Sequence, residues 1–330
     1  MAMPTASVVI PNYNHARFLR RRIDSVLQQT FQDFEVILLD DCSTDDSRSI
    51  LSSYAGDPRV RVEFNDANSG NTFKQWNKGV RLARGNYIWI AESDDYADER
   101  MLERLVAVLD ADPQIAYAYC KSWRVSARGD LDGFADDYLA RLDSRRWTTD
   151  YCADGIEECR NYLVRANPVP NASAALFRKA VYERVGGADE SLRLCGDWKL
   201  WAAMALTGKV AYLAEPLNFF RFHDATVRKK SEYMSADVME YLTIFRWVLD
   251  RVTPSRIVLN NLYDIASAMW VPVIMSTQVS LGQKRAILRS VRAIDPHPVR
   301  SAIRPVLATV RRKFLRHWHA LAPRTTSETL

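Results

Sequence analysis

The stretch Phe34-Glu35-Val36-Ile37-Leu38-Leu39-Asp40-Asp41-Cys42-Ser43-Thr44-Asp45 sets a near-continuous apolar run directly against paired carboxylates. A run this short and β-branched, bounded by turn residues, predicts a strand over Phe34–Leu39 covered on both faces. Two carboxylates ending such a strand are desolvated and repel each other unless a cation or hydrogen-bond donors face them. Asp40 and Asp41 therefore point to a ligand role, while Ser43 or Thr44 is expected to cap the helix that follows.

The same grammar repeats on either side. Strands are predicted over Ser7–Ile10, Val60–Phe64, Tyr87–Ala91 and Ile115–Cys120, and helices over Phe18–Gln29, Ser47–Tyr54, Thr72–Ala83 and Arg100–Leu109. In the first helix Ile23, Val26 and Leu27 are expected to face the sheet, with Arg20, Arg21 and Arg22 in water. This alternation implies a mostly parallel, Rossmann-like central sheet flanked by helices, which binds ligands at the carboxyl ends of its strands. A second acidic strand end, Trp89-Ile90-Ala91-Glu92-Ser93-Asp94-Asp95, opens onto that edge. Its three carboxylates suit a hard divalent cation, which takes oxygen ligands and can be shared with substrate phosphates. Further on, 121–170 read as irregular and loop-rich, Ala172–Phe177 as a strand, Asp197–Leu206 as a helix and Lys209–Phe222 as paired short strands around Pro216. From Met234 the pattern is helical.

The 330 residues are 48% hydrophobic and carry a net charge of +5, which excludes a disordered chain, a collagen-like fibre or a coiled-coil rod. Residues 240–330 hold 14 basic against 5 acidic side chains, so residues 1–239 are net acidic by 4. The five cysteines form no C-x-x-C pair, which argues against a disulfide scaffold and for a reducing, cytoplasmic setting. No secretory signal pattern is visible in Met1–Pro11. The uncharged run Ile265–Gln283 contains Pro272 and several Ser, Thr and Gln residues, and reads as a buried or interfacial helix sooner than a membrane span. Lys284–Arg316 has ten basic residues and one acid, interleaved with apolar ones. Arg311–Trp318 reads as a basic amphipathic helix suited to an anionic bilayer or to packing against the protein. No nucleic-acid-binding module is recognised.

Taken in order and spacing, Ile10-Pro11-Asn12-Tyr13-Asn14, Asp40–Asp45, Asn68-Ser69-Gly70, Asn77-Lys78-Gly79 and Glu92-Ser93-Asp94-Asp95 resemble the donor-binding half of family 2 inverting glycosyltransferases, over about residues 5–225. The resemblance implies the GT-A fold, a nucleotide-diphosphate sugar donor, a glycan or lipid-linked acceptor and a divalent metal, Mn²⁺ or Mg²⁺. It implies a GT-A domain over 1–230, with a nucleotide-sugar half to about 120 and an acceptor half from 121. A basic helical region over 231–330 would then serve membrane or oligomer contact. By position it implies that Pro11 and Tyr13 line the base pocket and Asp41 contacts base or ribose, with Asp40 among the donor-binding residues. Asn68, Gly70 and Lys74 would lie on the diphosphate side, and Asp94 and Asp95 would hold ribose and metal. Cys195-Gly196-Asp197-Trp198 resembles the family's catalytic motif, which makes Asp197 the base, with Trp198 and Trp201 bordering the acceptor groove. Phe219-Phe220-Arg221-Phe222-His223 matches the family's Arg-x-His strand, which implies a phosphate contact from Arg221 and a metal or diphosphate contact from His223.

The setting the family suggests is bacterial surface polysaccharide or lipopolysaccharide assembly at the inner face of the plasma membrane. Two other classes fit parts of the sequence: a non-catalytic GT-A-like binding module, and a nucleotidyltransferase. A nicotinamide dehydrogenase is disfavoured, because no G-x-G-x-x-G follows the first strand.

Overall fold

A computed structural model describes residues 3–223 and 234–303. The expected basic helix over 311–318 lies outside the described residues, and the expected boundary near 230 falls among residues 224–233, also outside them.

Strands β1 (Ala6–Asn12), β2 (Phe34–Asp40), β3 (Val60–Phe64) and β4 (Tyr87–Ile90) alternate with helices α1 (Ala16–Leu27), α2 (Ser47–Ser52) and α3 (Thr72–Leu82). The short β5 (Tyr96–Ala97) and α4 (Met101–Ala111) follow, then β6 (Ile115–Val125), β7 (Leu131–Phe134) and β8 (Tyr151–Asp154). Helix α5 (Gly155–Glu158), β9 (Ala175–Arg178), α6 (Lys179–Arg184), α7 (Gly196–Ala205) and the long β10 (Lys209–Arg221) complete the sheet region. Three helices follow: α8 (Met234–Leu249), α9 (Arg256–Met275) and α10 (Leu281–Ile294).

The sheet order is β3-β2-β1-β4-β9-β6-β10-β5, with β7 on β6 and β8 on β10. Strands β3, β2, β1 and β4 are parallel, as the βαβ reading requires. Strand β9 runs antiparallel to both β4 and β6 and joins the first half of the chain to the second within one sheet. Side chains alternate between its faces: Val8 and Ile10 of β1 pack with Leu19, Ile23 and Val26 of α1 and Leu102 and Leu105 of α4. Val9 packs on the other face with Trp76 and Val80 of α3. That second core continues without a break through Phe245, Leu262, Trp270, Ile287 and Val291, so α8–α10 share it with the sheet. No disulfide joins the five cysteines.

Three local expectations are corrected. Arg22 is completely buried, not solvated. It falls with Leu19, Ile23 and Val26 on the inward stripe of α1, where helical spacing puts every third or fourth residue. The Lys209–Phe222 stretch holds one strand, Lys209–Arg221, not a pair. Pro216 sits at a register shift against β6, and on its other edge between the segments paired with β8 (Lys209–Tyr212) and β5 (Asn218–Phe219). A proline there removes no ladder hydrogen bond. Ser43 caps no helix; its hydroxyl receives the Asn14 N–H (2.9 Å) and the Asn12 amide (3.2 Å), tying the β1 loop to the β2 loop.

Candidate active site

The carboxyl ends of β1, β2 and β3 turn through left-handed residues at Asn14 (φ 57°), Cys42 (φ 63°) and Gly70 (φ 67°). These turns set the loops of the donor-side expectation next to one another. Asp40 is fully buried, its oxygens taken by the Asn12 amide (3.0 Å) and the Ser43 N–H (3.0 Å). It orders the loops and has no surface for a donor, so its expected contact is withdrawn. Asp41 Oδ1 accepts from Asn65 (2.6 Å), the Ser69 N–H (2.9 Å) and Gln75 (2.9 Å), and Oδ2 from the Ser69 hydroxyl (2.7 Å). Lone pairs for a ligand remain on Oδ2 alone. Asn68 donates to the Asp41 carbonyl (3.0 Å) and accepts the Gly70 N–H (2.6 Å). Pro11 is buried beneath this edge, Tyr13 is exposed on it, and Lys74 is exposed on the first turn of α3.

At the end of β4, the β5–β10 pairing brings Asp94 and Asp95 against Arg221 and His223. His223 Nε2 lies 2.9 Å from Asp94 Oδ2, and His15, just before α1, joins them. One ligand atom from each of His15, Asp94 and His223 lies within 4.8 Å of the others, the one group of this kind among the described residues. Burial opposes ionisation of Asp94, yet the His223 hydrogen bond and the two imidazoles outweigh it and hold the carboxyl below its usual range. Burial lowers the His15 pKa, and the Asp94 charge opposes it.

Asp95 points the other way. Its Oδ1 accepts the Arg221 N–H (2.9 Å), its Oδ2 accepts from Asn171 (2.7 Å), and the Arg22 guanidinium stands 3.9 Å away. With 1% exposure it braces the loop from behind, and the expected metal contact from Asp95 is not what this packing presents. Burial and the neighbouring Asp94 charge raise its pKa, and Arg22 opposes them. Arg22 itself is lowered to about 10 by burial, and it donates through Nε to the Glu92 carbonyl (2.8 Å). Arg221 is likewise turned inward, donating to the carbonyls of Asp94 (2.8 Å), Ser126 (3.0 Å) and Ala127 (3.1 Å). It is a bracket between loops, and its expected phosphate contact is withdrawn. Glu92 faces α3, accepting from Trp76 Nε1 (2.7 Å), and burial with the Asp94 charge pushes it up to about 8.

Asp197 lies in the first turn of α7, where Asn167 donates to its Oδ2 (2.9 Å). Its first residue, Gly196, has no room for a side chain: an added Cβ would stand 2.5 Å from the Phe73 ring. The loop before it is held from two sides. Asn71 donates to the Glu190 and Leu192 carbonyls (both 2.9 Å), and the Glu240 carboxylate of α8 accepts the N–H groups of Arg193 (2.8 Å), Leu194 (2.9 Å) and Cys195 (2.9 Å). Trp198 and Trp201 are core residues: Trp198 packs on Tyr241 and Phe245, and Trp201 on Tyr117 and Phe177. At 3% and 0% exposure they have no face for an acceptor, which corrects that expectation.

Sequence reasoning missed His15, Arg22 and Glu240. Arg22 was readable from its place on the apolar stripe. His15 directly follows the Asn12-Tyr13-Asn14 turn and is one of only five histidines. Glu240 has no local signal, since its partners are 45–47 residues away.

A mixed sheet flanked by helices, with acids and a His/Asp cluster at its carboxyl edge, is the architecture of the GT-A fold. Residues 7–186 match the family model described as Glycosyl transferase family 2, and the chain belongs to that family. Glycosyltransferase GlyG of Streptococcus pneumoniae is 41% identical over 117 residues, 34% of this chain and 38% of that protein. The chain thus matches well under two thirds of that relative's length. The structure of Staphylococcus aureus TarS 1-349 in complex with UDP-GlcNAc superposes with a TM-score of 0.69 at 19% identity, covering 94% of this chain and 88% of that one. The mannosyltransferase PcManGT from Pyrobaculum calidifontis, in complex with GDP-Man and Mn²⁺, gives 0.58 at 17%, covering 95% and 88%. These two likenesses establish the fold.

Proposed function

We propose that the chain is a metal-dependent inverting transferase that moves a sugar from a nucleotide-diphosphate donor to a hydroxyl of a glycan or lipid-linked acceptor. The convergence of Asp94 and His223 at the sheet edge, after β4 and β10, carries this reading. Both side chains suit Mn²⁺ or Mg²⁺, the carboxylate for either and the imidazole for the softer of the two. When bound, such an ion neutralises charge developing on a departing nucleoside diphosphate. Asp94 and His223 hold it, Asp95 and Arg221 fix the loop that carries Asp94, and Tyr13 and Asp41 Oδ2 face the nucleoside.

Asp197 takes the acceptor proton as its oxygen attacks the anomeric carbon from the face opposite the leaving group. Asn167 and the restrained loop before α7 aim that carboxylate. Gly196, the non-Glu residue before the base, has a packing reason in the Phe73 ring. Incubation with a panel of nucleotide sugars and Mn²⁺ should release nucleoside diphosphate. Asp197→Asn should cut transfer at least 10³-fold (~4 kcal/mol of transition-state stabilisation) while donor still raises the melting temperature. Full activity in Asp197→Asn would refute the base, and pyrophosphate as product would refute the reaction class.

The setting we propose is surface-polysaccharide or lipopolysaccharide assembly at the cytoplasmic face of the membrane. The relative TarS, by its name a poly(ribitol-phosphate) β-N-acetylglucosaminyltransferase, supports a polymer acceptor. Exposed Arg285, Arg289 and Arg292 form a basic stripe on α10 beside exposed Leu281, an arrangement suited to anionic lipid. Charge reversal of the three arginines should abolish sedimentation with phosphatidylglycerol vesicles; unchanged sedimentation would remove the membrane placement.

A further inference from the structure

We infer that His15 is a third protein ligand to the cation, giving a donor set of two imidazoles and one carboxylate that selects Mn²⁺ over Mg²⁺. This rests on the metal-dependent reading above and adds to it a residue and a selectivity. The sequence motif around residues 92–95 suggests an all-oxygen site, which would serve the two ions alike. The folded chain builds something different. Asp95 is turned away onto Asn171, Arg22 and the Arg221 N–H, and Glu92 is turned toward Trp76. Of the three carboxylates only Asp94 reaches the cluster, and two nitrogens complete it.

His15 is held as a metal ligand is held. Its Nδ1 lies 2.9 Å from the Ser93 hydroxyl, which leaves Nε2 for an ion, and its ring meets His223 edge-on with centroids 5.6 Å apart. A hydrogen bond to the second ring nitrogen of this kind fixes ring orientation in most histidine metal sites. His15 also belongs to the β1 loop whereas Asp94 and His223 follow β4 and end β10, so the three ligands come from separate parts of the sheet edge. Binding the ion would therefore clamp the β1 loop, with Tyr13 two residues away, to the diphosphate side. Imidazole favours Mn²⁺ and later transition ions, while Mg²⁺ prefers oxygen and retains its waters.

The test uses the full chain with Mn²⁺ alone, read by electron spin resonance, then with Mg²⁺ as competitor. Expected are two directly coordinated imidazole nitrogens in the spin-echo modulation of the wild type and one in His15→Asn. Mn²⁺ affinity should fall at least tenfold in His15→Asn, and the Mn²⁺/Mg²⁺ preference should fall with it. Ser93→Ala, which frees the ring without removing it, should weaken Mn²⁺ less than His15→Asn does. Metal-free melting temperatures of the variants show whether each is folded; if His15→Asn is not, the nitrogen count in the wild type decides. Two nitrogens in the wild type sustain the inference and one overturns it, as does unchanged Mn²⁺ affinity in a folded His15→Asn. A wild type that binds no Mn²⁺ overturns the metal-dependent reading as well, so the two failures are distinguishable.

Discussion

Glu240 ties the C-terminal helices to the proposed catalytic carboxylate, and its removal should be felt in both stability and rate. Its Oε1 accepts the Arg193 N–H, and its Oε2 accepts those of Leu194 and Cys195, immediately before the helix that presents Asp197. Hydrogen bonds to a charged acceptor contribute about 1.5–3 kcal/mol each when well shielded. Here the three share one half-buried carboxylate, and one of them is exposed, so the set is worth about 2–3 kcal/mol in total. Glu240→Ala should lower unfolding free energy by that amount in urea titration. Glu240→Gln can keep its single oxygen on the Leu194/Cys195 pair, so it should lose about half as much. Rate is the sharper readout. A displacement of the base by an ångström costs on the order of 10²-fold, so transfer kcat should drop roughly 10–100-fold in Glu240→Ala. The donor KM should stay near wild type, because the donor-side loops are held by Asp40, Asp41 and Asn68 instead. An alanine variant with wild-type urea midpoint and wild-type kcat would refute the reasoning, and so would a loss confined to donor KM.

Arg22→Met should destabilise by about 3–5 kcal/mol in chemical denaturation, because Asp95 keeps its burial and loses its nearest cation. Gly196→Ala should reduce transfer by forcing α7 off the Phe73 ring, and Phe73→Leu in the same chain should recover part of the loss, giving a coupling of about 1 kcal/mol or more in a double-mutant cycle. The Asp189–Lys199 pair supplies a pH signature. Burial alone would raise the Asp189 pKa, but Lys199 and Ser191 lower it to about 2. A depressed carboxylate stabilises above its unfolded pKa and loses that stability as pH falls through the folded one. Both partners are about a quarter exposed, so the screened contribution is about 1 kcal/mol. Lys199→Met should therefore melt below wild type at pH 6, and the gap should close between about pH 4 and pH 2.

The acids that end β2 and β4 were legible because a desolvated carboxylate after an apolar run has few structural uses. What the run could not tell was which oxygen faces the ligand. Asp40 and Asp95 face inward and Asp94 outward, a choice made by Ser43 close by and by Asn12, Asn171 and Arg221, which lie 28 or more residues from the acids they bind. The parallel half of the sheet was legible from local periodicity alone. The antiparallel insertion of β9 was not, since pairing with β4 and β6 is a choice among distant segments. Trp198 and Trp201 misled for a related reason: aromatic residues beside a catalytic motif serve a groove or a core equally well, and α8, packed over Trp198, decided for the core.

Strand β9 has a mechanical consequence. Many two-substrate enzymes adjust the approach of their reactants by swinging one lobe over another. Here the strands before and after β9 are rungs of a single ladder, and a swing of one half over the other would have to break backbone pairing. The relative placement of the two halves is thus built in at folding. Room for change in length and shape lies in the segments outside the ladder, such as residues 137–150, whereas α8 is tied through Glu240 to the loop before Asp197.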